Sequence, residues 1–178
     1  MTRCRGWSRR AGLWHSMMDA ATLFGSPTRM TLPLFVYGTL RDPDLLAAVL
    51  GRALRPGGQH IARAPGFRAV HYPGRIYPAL IRVPGAAAEG LLLIDLSPFE
   101  RDLLDAFEGE EYRRTPVAAM VEEDLFEADA YLPAIAVPNE GLDWSLGRWQ
   151  AEHKPLVLGA EAASAAVIRA KLIAVRPN

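Results

Sequence analysis

"FVYGTLRDPDLL", Phe35 to Leu46, opens as a buried strand and closes as a helix. Leu34, Phe35, Val36 and Tyr37 form a compact strand-forming run, which Gly38 ends. Asp42-Pro43 then supplies a cap and a first-position proline for a helix. Leu45, Leu46, Val49 and Leu50 give that helix an apolar face, and Gly51 marks its stop. The turn between strand and helix admits two readings. Its amides lead into a helix N-terminus, where unpaired N–H groups favour a carboxylate or phosphate. Gly38 would let such a ligand approach closely, and Thr39 would add a hydroxyl. Alternatively it is an ordinary turn whose glycine serves only its dihedral angles. A phosphate loop is excluded, because one glycine stands here without a Lys-Ser/Thr pair.

Downstream, Arg55 to Pro84 is rich in glycine and proline and predicts short strands at Ile61 to Arg63, Phe67 to His71 and Ala79 to Val83. "GLLLIDL", Gly90 to Leu96, is apolar on both faces, as a central strand would be. "SPFE" is a capping box with Ser97 as cap and Glu100 reaching back; its helix should end near Gly109, a residue suited to a left-handed cap. Thr115 to Val121 and Phe126 to Leu132 predict a hairpin turning at Glu122 to Asp124. Asp143 to Gln150 and Glu161 to Ile173 predict helices, interrupted around His153, Lys154 and Pro155, with Trp144 and Trp149 packing the C-terminal helix onto the core. Strands dominate the middle without regular helices between them, which argues against a doubly wound parallel sheet. The residues point to α+β: a curled, mixed or mostly antiparallel sheet with helices around it.

The 178 residues suffice for one domain with a substantial core. Twenty acidic and twenty basic side chains balance, with no basic stripe for nucleic acid, and no apolar run is long enough to span a bilayer. Cys4, the single cysteine, forms no internal disulfide, which fits a reducing, cytoplasmic location. Residues 1–30 are basic before the first acid, Asp19, and carry a loose amphipathic pattern. They read as a targeting segment, a short surface helix, or a poorly ordered extension; the last is favoured, leaving residues 31–178 as a single domain.

A second stretch bears on chemistry. In "LLDAFEGEEY", Leu103 to Tyr112, Glu108 falls on the last helical turn before Gly109. A carboxylate facing the negative end of a helix dipole, near Glu110 and Glu111, should hold its proton more tightly and so suit a general base near neutral pH. The competing reading is a solvated acidic patch. His15, His60, His71 and His153 lack metal-ligand spacing, and neither a serine nucleophile elbow nor a dinucleotide fingerprint is present. No metal or cofactor is therefore expected. Arg75, Tyr77 and Tyr112 are open to either pocket or packing roles.

"FVYGTL", followed some seventy residues later by "LDAFEGEEYRRTPV", resembles the γ-glutamylcyclotransferase-like superfamily, in its short avirulence-induced-gene branch. "YPALI" and "EGLLLIDLS" are similar as well, and the likeness runs from about Leu34 to Leu132. The resemblance implies a small mixed, mostly antiparallel β-barrel with flanking helices and a pocket at one end. It implies that Tyr37, Gly38, Thr39 and Leu40 hold the α-amino-acid end of a small γ-glutamyl substrate, that Glu108 is the catalytic acid/base, and that Tyr112 lines the pocket. It further implies metal-independent release of 5-oxoproline as the substrate's own amine attacks its γ-carbonyl. A binding module without catalysis on the same fold is the alternative. The identity of the leaving amine and the oligomeric state stay open.

Overall fold

The run at Leu34 forms β1, Leu34–Val36, and its two faces explain why all three residues are buried. Leu34 and Val36 join a cluster under the helices, while Phe35 points into the interior of a barrel. The structure, a computed structural model, describes residues 32–175. Among them β1 is followed by β2 (Gln59–His71), β3 (Pro78–Leu93), β4 (Tyr112–Val121) and β5 (Asp124–Pro133), which close in the order β1-β3-β2-β4-β5. The pairs are antiparallel except β1 with β5, so the barrel is mixed and mostly antiparallel, as expected. The expected extension over residues 1–30, with Cys4 in it, lies outside the described residues.

Two pairs of short expected strands are in fact two long ones. The run from Ile61 and the run from Phe67 are both part of β2, and Ala79 to Val83 is continuous with Gly90 to Leu93 in β3. Pro65-Gly66, which reads as a break between two of these runs, instead marks an irregularity inside β2. The register shifts between Pro65 and Phe67, and Gly66 (φ 76°) and Gly85 (φ 82°) both take left-handed conformations there. A bulge tolerates proline and bends a strand without ending it. "GLLLIDL" does lie centrally, between β1 and β2, but its strand ends at Leu93. The β4–β5 hairpin forms with its turn at Glu122.

Four helices follow the sequence signals, with shifted ends. In α1, Pro43–Leu50, Asp42 accepts from the amides of Asp44 and Leu45, and Gly51 closes the helix at φ 76°. In α2, Pro98–Glu108, the capping box is complete. Gly109 has a positive φ (63°), yet its ψ of −151° is not that of the expected left-handed cap, and a 3₁₀ turn, Gly109–Glu111, follows at once. The helix read from Asp143 begins at Leu146 (α3, Leu146–Glu152), where Ser145 caps it; Asp143 bridges to Val70 instead. The last helix, α4 (Lys154–Ala174), starts seven residues before the expected Glu161, because Pro155 in its first turn is compatible with helix and the break is confined to His153. Trp144 and Trp149 are buried in the helix-side core together with Ala165 of α4.

The barrel interior is lined largely by alanine, including Ala62, Ala64, Ala119, Ala128 and Ala130, around Phe35, Phe67 and Leu80. Gly90 belongs to this economy of space: a Cβ there would lie 2.5 Å from the Phe35 ring and 2.5 Å from the Val36 carbonyl oxygen. Gly90→Ala is expected to destabilise by roughly 1–3 kcal/mol through overpacking, lowering Tm by several degrees in a thermal melt.

Candidate active site

Tyr37 leaves β1 buried, and its hydroxyl donates to the Tyr131 carbonyl at 2.5 Å, tying the turn to β5. A single 3₁₀ turn follows at Thr39–Arg41. The Arg41 and Asp42 amides donate to the Gly38 and Thr39 carbonyls at 3.0 and 2.9 Å. No acceptor among the described residues takes the amides of Gly38, Thr39 or Leu40. Gly38 itself has φ −108°, which any residue adopts. Its small size serves a close approach, since a Cβ would sit 2.8 Å from Pro78 Cγ. Close packing against Pro78 thus gives this glycine a reason beside the dihedral angles of an ordinary turn.

Behind the turn, Asp42 is fully buried. Its Oδ1 caps α1, while Oδ2 accepts from Gln150 Nε2 at 2.7 Å and Lys154 Nζ at 2.8 Å. Burial works against its ionisation, but the hydrogen bonds from Lys154, Gln150 and the Leu45 amide outweigh it and hold the carboxyl below its usual range. One side chain thus fixes the turn's exit to α3 and α4.

The turn forms one wall of a cavity of about 180 Å³. Tyr37, Gly38, Thr39, Leu40, Glu108 and Tyr112, the six residues singled out from sequence, all line it. Glu108, the last residue of α2, keeps a partly open surface toward the cavity while protein surrounds it otherwise. No side chain among the described residues bonds or ion-pairs with its carboxylate. Burial first, then the charges of Asp105 and Glu161, push its pKa up to about 8. The neighbours expected from sequence to act this way do not. Glu110 is exposed, and Glu111 is held below its usual range by Arg75 Nη2 (2.5 Å) and the Tyr77 hydroxyl (2.5 Å).

Three phenols complete the walls. The Tyr112 hydroxyl donates to the Pro78 carbonyl at 2.6 Å, and that of Tyr131 donates to Asp105 Oδ1 at 2.7 Å. Burial, with Glu108 among the further causes, raises Tyr37, Tyr112 and Tyr131 above the ordinary phenol value, so all three remain neutral donors. Asp105 also faces Arg114 at 3.4 Å, which anchors the Tyr131 side of the wall. Tyr77 lines the cavity, but Arg75 does not; it serves Glu111.

Sequence reading missed Tyr131 and Glu161. Tyr131 sits in an unremarkable strand. Glu161 carried a signal, as the single acid between Lys154 and Asn178 in an alanine-rich helix. Half-buried, it lines the cavity from α4, and burial raises its pKa. Among the described residues no group of three or more His, Cys, Asp or Glu side chains is arranged to hold a metal ion, and none of their helices is long and apolar enough to cross a membrane.

A family model described as gamma-glutamyl cyclotransferase, AIG2-like, matches residues 34–151. AIG2-like protein A of Arabidopsis thaliana is 32% identical over 125 residues, which cover 68% of this chain and 73% of that protein. A solution structure of an Arabidopsis thaliana protein aligns with a TM-score of 0.56 at 27% identity, over 77% of this chain and 92% of that one. A second solution structure from the same plant, at 19% identity, agrees in fold, with a TM-score of 0.58 over 79% of this chain and 86% of that one.

Proposed function

Because the chain belongs to the gamma-glutamyl cyclotransferase, AIG2-like family, which supports a cyclotransferase-type function on a small molecule, we propose that it releases 5-oxoproline from a small γ-glutamyl amine or amino acid. The observation that carries this reading is Glu108: a proton-holding carboxylate without a partner among the described residues, in a cavity also lined by Gly38, Thr39 and Leu40, whose amides have no acceptor among those residues.

The chemistry asks for two things, and the site answers both. First, the substrate's amine must reach its own γ-carbonyl, a question of orientation. The turn amides hold the α-carboxylate, and the tyrosine walls leave room for a folded γ-glutamyl chain. Second, protons must move. Glu108 takes one from the α-ammonium; the freed nitrogen bonds to the γ-carbon, and the bond from that carbon to the leaving nitrogen breaks. Glu108 then returns the proton to the departing nitrogen and takes the second proton that the ring nitrogen still carries, which passes to the released amine, so that a neutral lactam and an ammonium leave. A carboxylate poised near neutrality can serve as both acceptor and donor. Neither a protein nucleophile nor a metal is needed for these steps.

The test is a panel of γ-glutamyl compounds assayed for 5-oxoproline. Free glutamate as product would mean hydrolysis by water, and binding in calorimetry without turnover would mean a ligand-binding module; either overturns the reading. The pH dependence is also specified. Since ionised Glu108 is the base, kcat/KM should rise with pH and level off above an inflection near 8. Stability should move the opposite way. An acid whose value rises from 4.5 to about 8 on folding favours the folded state most when protonated. Its contribution is complete below pH 4.5 and is lost as pH climbs through 8. In urea melts Glu108→Gln should therefore match the parent near pH 4.5 and exceed it above pH 8.

A further inference from the structure

We propose that Glu161 selects γ-glutamyl substrates whose leaving amine carries a second positive charge, such as the mono-γ-glutamyl derivative of an alkyl diamine. The inference rests on the cyclotransferase reading and concerns the end of the substrate that departs. Three carboxylates line the cavity: Glu108, Glu111 and Glu161. No Lys, Arg or His is among its lining residues. Of the cations on neighbouring elements, Arg75 is engaged by Glu111 and Lys154 by Asp42 and Asp44, and Arg41, at the end of the turn, is not among the lining residues.

The charges are then matched one by one. Glu111 is compensated by Arg75. The γ-glutamyl end of the substrate brings a carboxylate, taken by the turn amides, and an ammonium, taken by Glu108. Glu161 is left over. It projects from the second turn of α4, with no hydrogen bond or ion pair to a described residue. A half-buried carboxylate with no partner disfavours a ligand that brings a second negative charge and favours one that brings a positive charge. A leaving amino acid with a free carboxylate would face Glu161 with no cation to receive it. A leaving diamine would present its distal ammonium instead, and a charge-assisted hydrogen bond to a half-buried carboxylate is a strong contact. Glu161 is thus a specificity residue: it makes no contact with the bond that breaks.

The experiment uses the full chain and three probes of similar length: γ-glutamyl-1,4-diaminobutane, γ-glutamyl-n-pentylamine and γ-glutamyl-4-aminobutyrate. Both kcat/KM for 5-oxoproline release and Kd by calorimetry are measured for the parent and for Glu161→Gln, with thermal melts confirming that the variant folds. The expected order for the parent is cationic, then neutral, then anionic, with about tenfold between the first two, corresponding to 1.4 kcal/mol. Glu161→Gln should abolish that tenfold preference; because Glu161 also helps raise the proton affinity of Glu108, the variant is read on the cationic-to-neutral ratio, which a change in Glu108 common to all probes leaves untouched. Equal losses on the cationic and neutral probes would assign Glu161 to the glutamyl end and overturn the proposal, as would an unchanged preference. Absence of 5-oxoproline from every probe would defeat the cyclotransferase reading alone, because the Kd order still reports on Glu161.

Discussion

Glu108→Gln should lower kcat/KM for 5-oxoproline formation by more than about a hundredfold, the contribution expected of a positioned general base. The substitution is close to isosteric, so the cavity keeps its shape and the turn amides their ligand. What disappears is the proton acceptor. A glutamine amide has no basicity at neutral pH, and none of the other lining groups replaces it. Glu111 is held low by Arg75 and Tyr77, and the three phenols already donate to Pro78, Asp105 and the Tyr131 carbonyl. Glu161 is the remaining carboxylate, on a different helix. The loss should fall on kcat more than on KM, because the step removed is proton transfer and not carboxylate binding. The inflection near pH 8 should vanish with it. Steady-state kinetics of parent and variant across pH 6–10 read all of this, and activity that survives with the inflection intact would remove Glu108 from the mechanism.

The largest effect on stability is expected from Asp42→Ala, with a loss of roughly 3–5 kcal/mol, the magnitude found when one partner of a buried ion pair is removed. Asp42 has no exposed surface, and its two oxygens receive the Asp44 and Leu45 amides, Gln150 and Lys154. Alanine leaves two helix-start amides and the Gln150 amide without their acceptor at once, and Lys154 with Asp44 alone. At about 2–4 °C per kcal/mol for a chain of this size, Tm should fall by roughly 10 °C. The pH dependence has the opposite sign to that of Glu108. A carboxyl held below its usual range stabilises the fold above that range, so this contribution disappears as acid protonates Asp42, below about pH 4. A variant that melts like the parent at pH 7 would show that α1 and α4 hold together without this contact.

Local signals were legible wherever a few neighbouring residues decide the outcome. The caps at Asp42 and Ser97, the stop at Gly51, the hairpin at Glu122 and the buried tryptophans each depend on contacts within a few residues or on the apolar effect alone. The strand ends were less legible. Pro65-Gly66 looks the same in sequence whether it breaks a strand or bulges it, and the difference lies in the partner strand, where Gly85 yields in step. Gly90 reads as one more strand residue until Phe35 is placed over it.

The same division runs through the site. Sequence alone settled that a strand-turn-helix bears Tyr37 to Leu40 and that a capped helix ends at Glu108, because spacing and capping are properties of the chain itself. Only the tertiary structure decided that the two meet across one cavity, that burial, then the charges of Asp105 and Glu161 and not those of Glu110 and Glu111, stands behind the raised proton affinity of Glu108, and that Tyr131 and Glu161 share its walls. Those are matters of burial and of charge at a distance. Both depend on which segments the barrel closure and α4 bring together, and residues far apart in the chain carry no local mark of it.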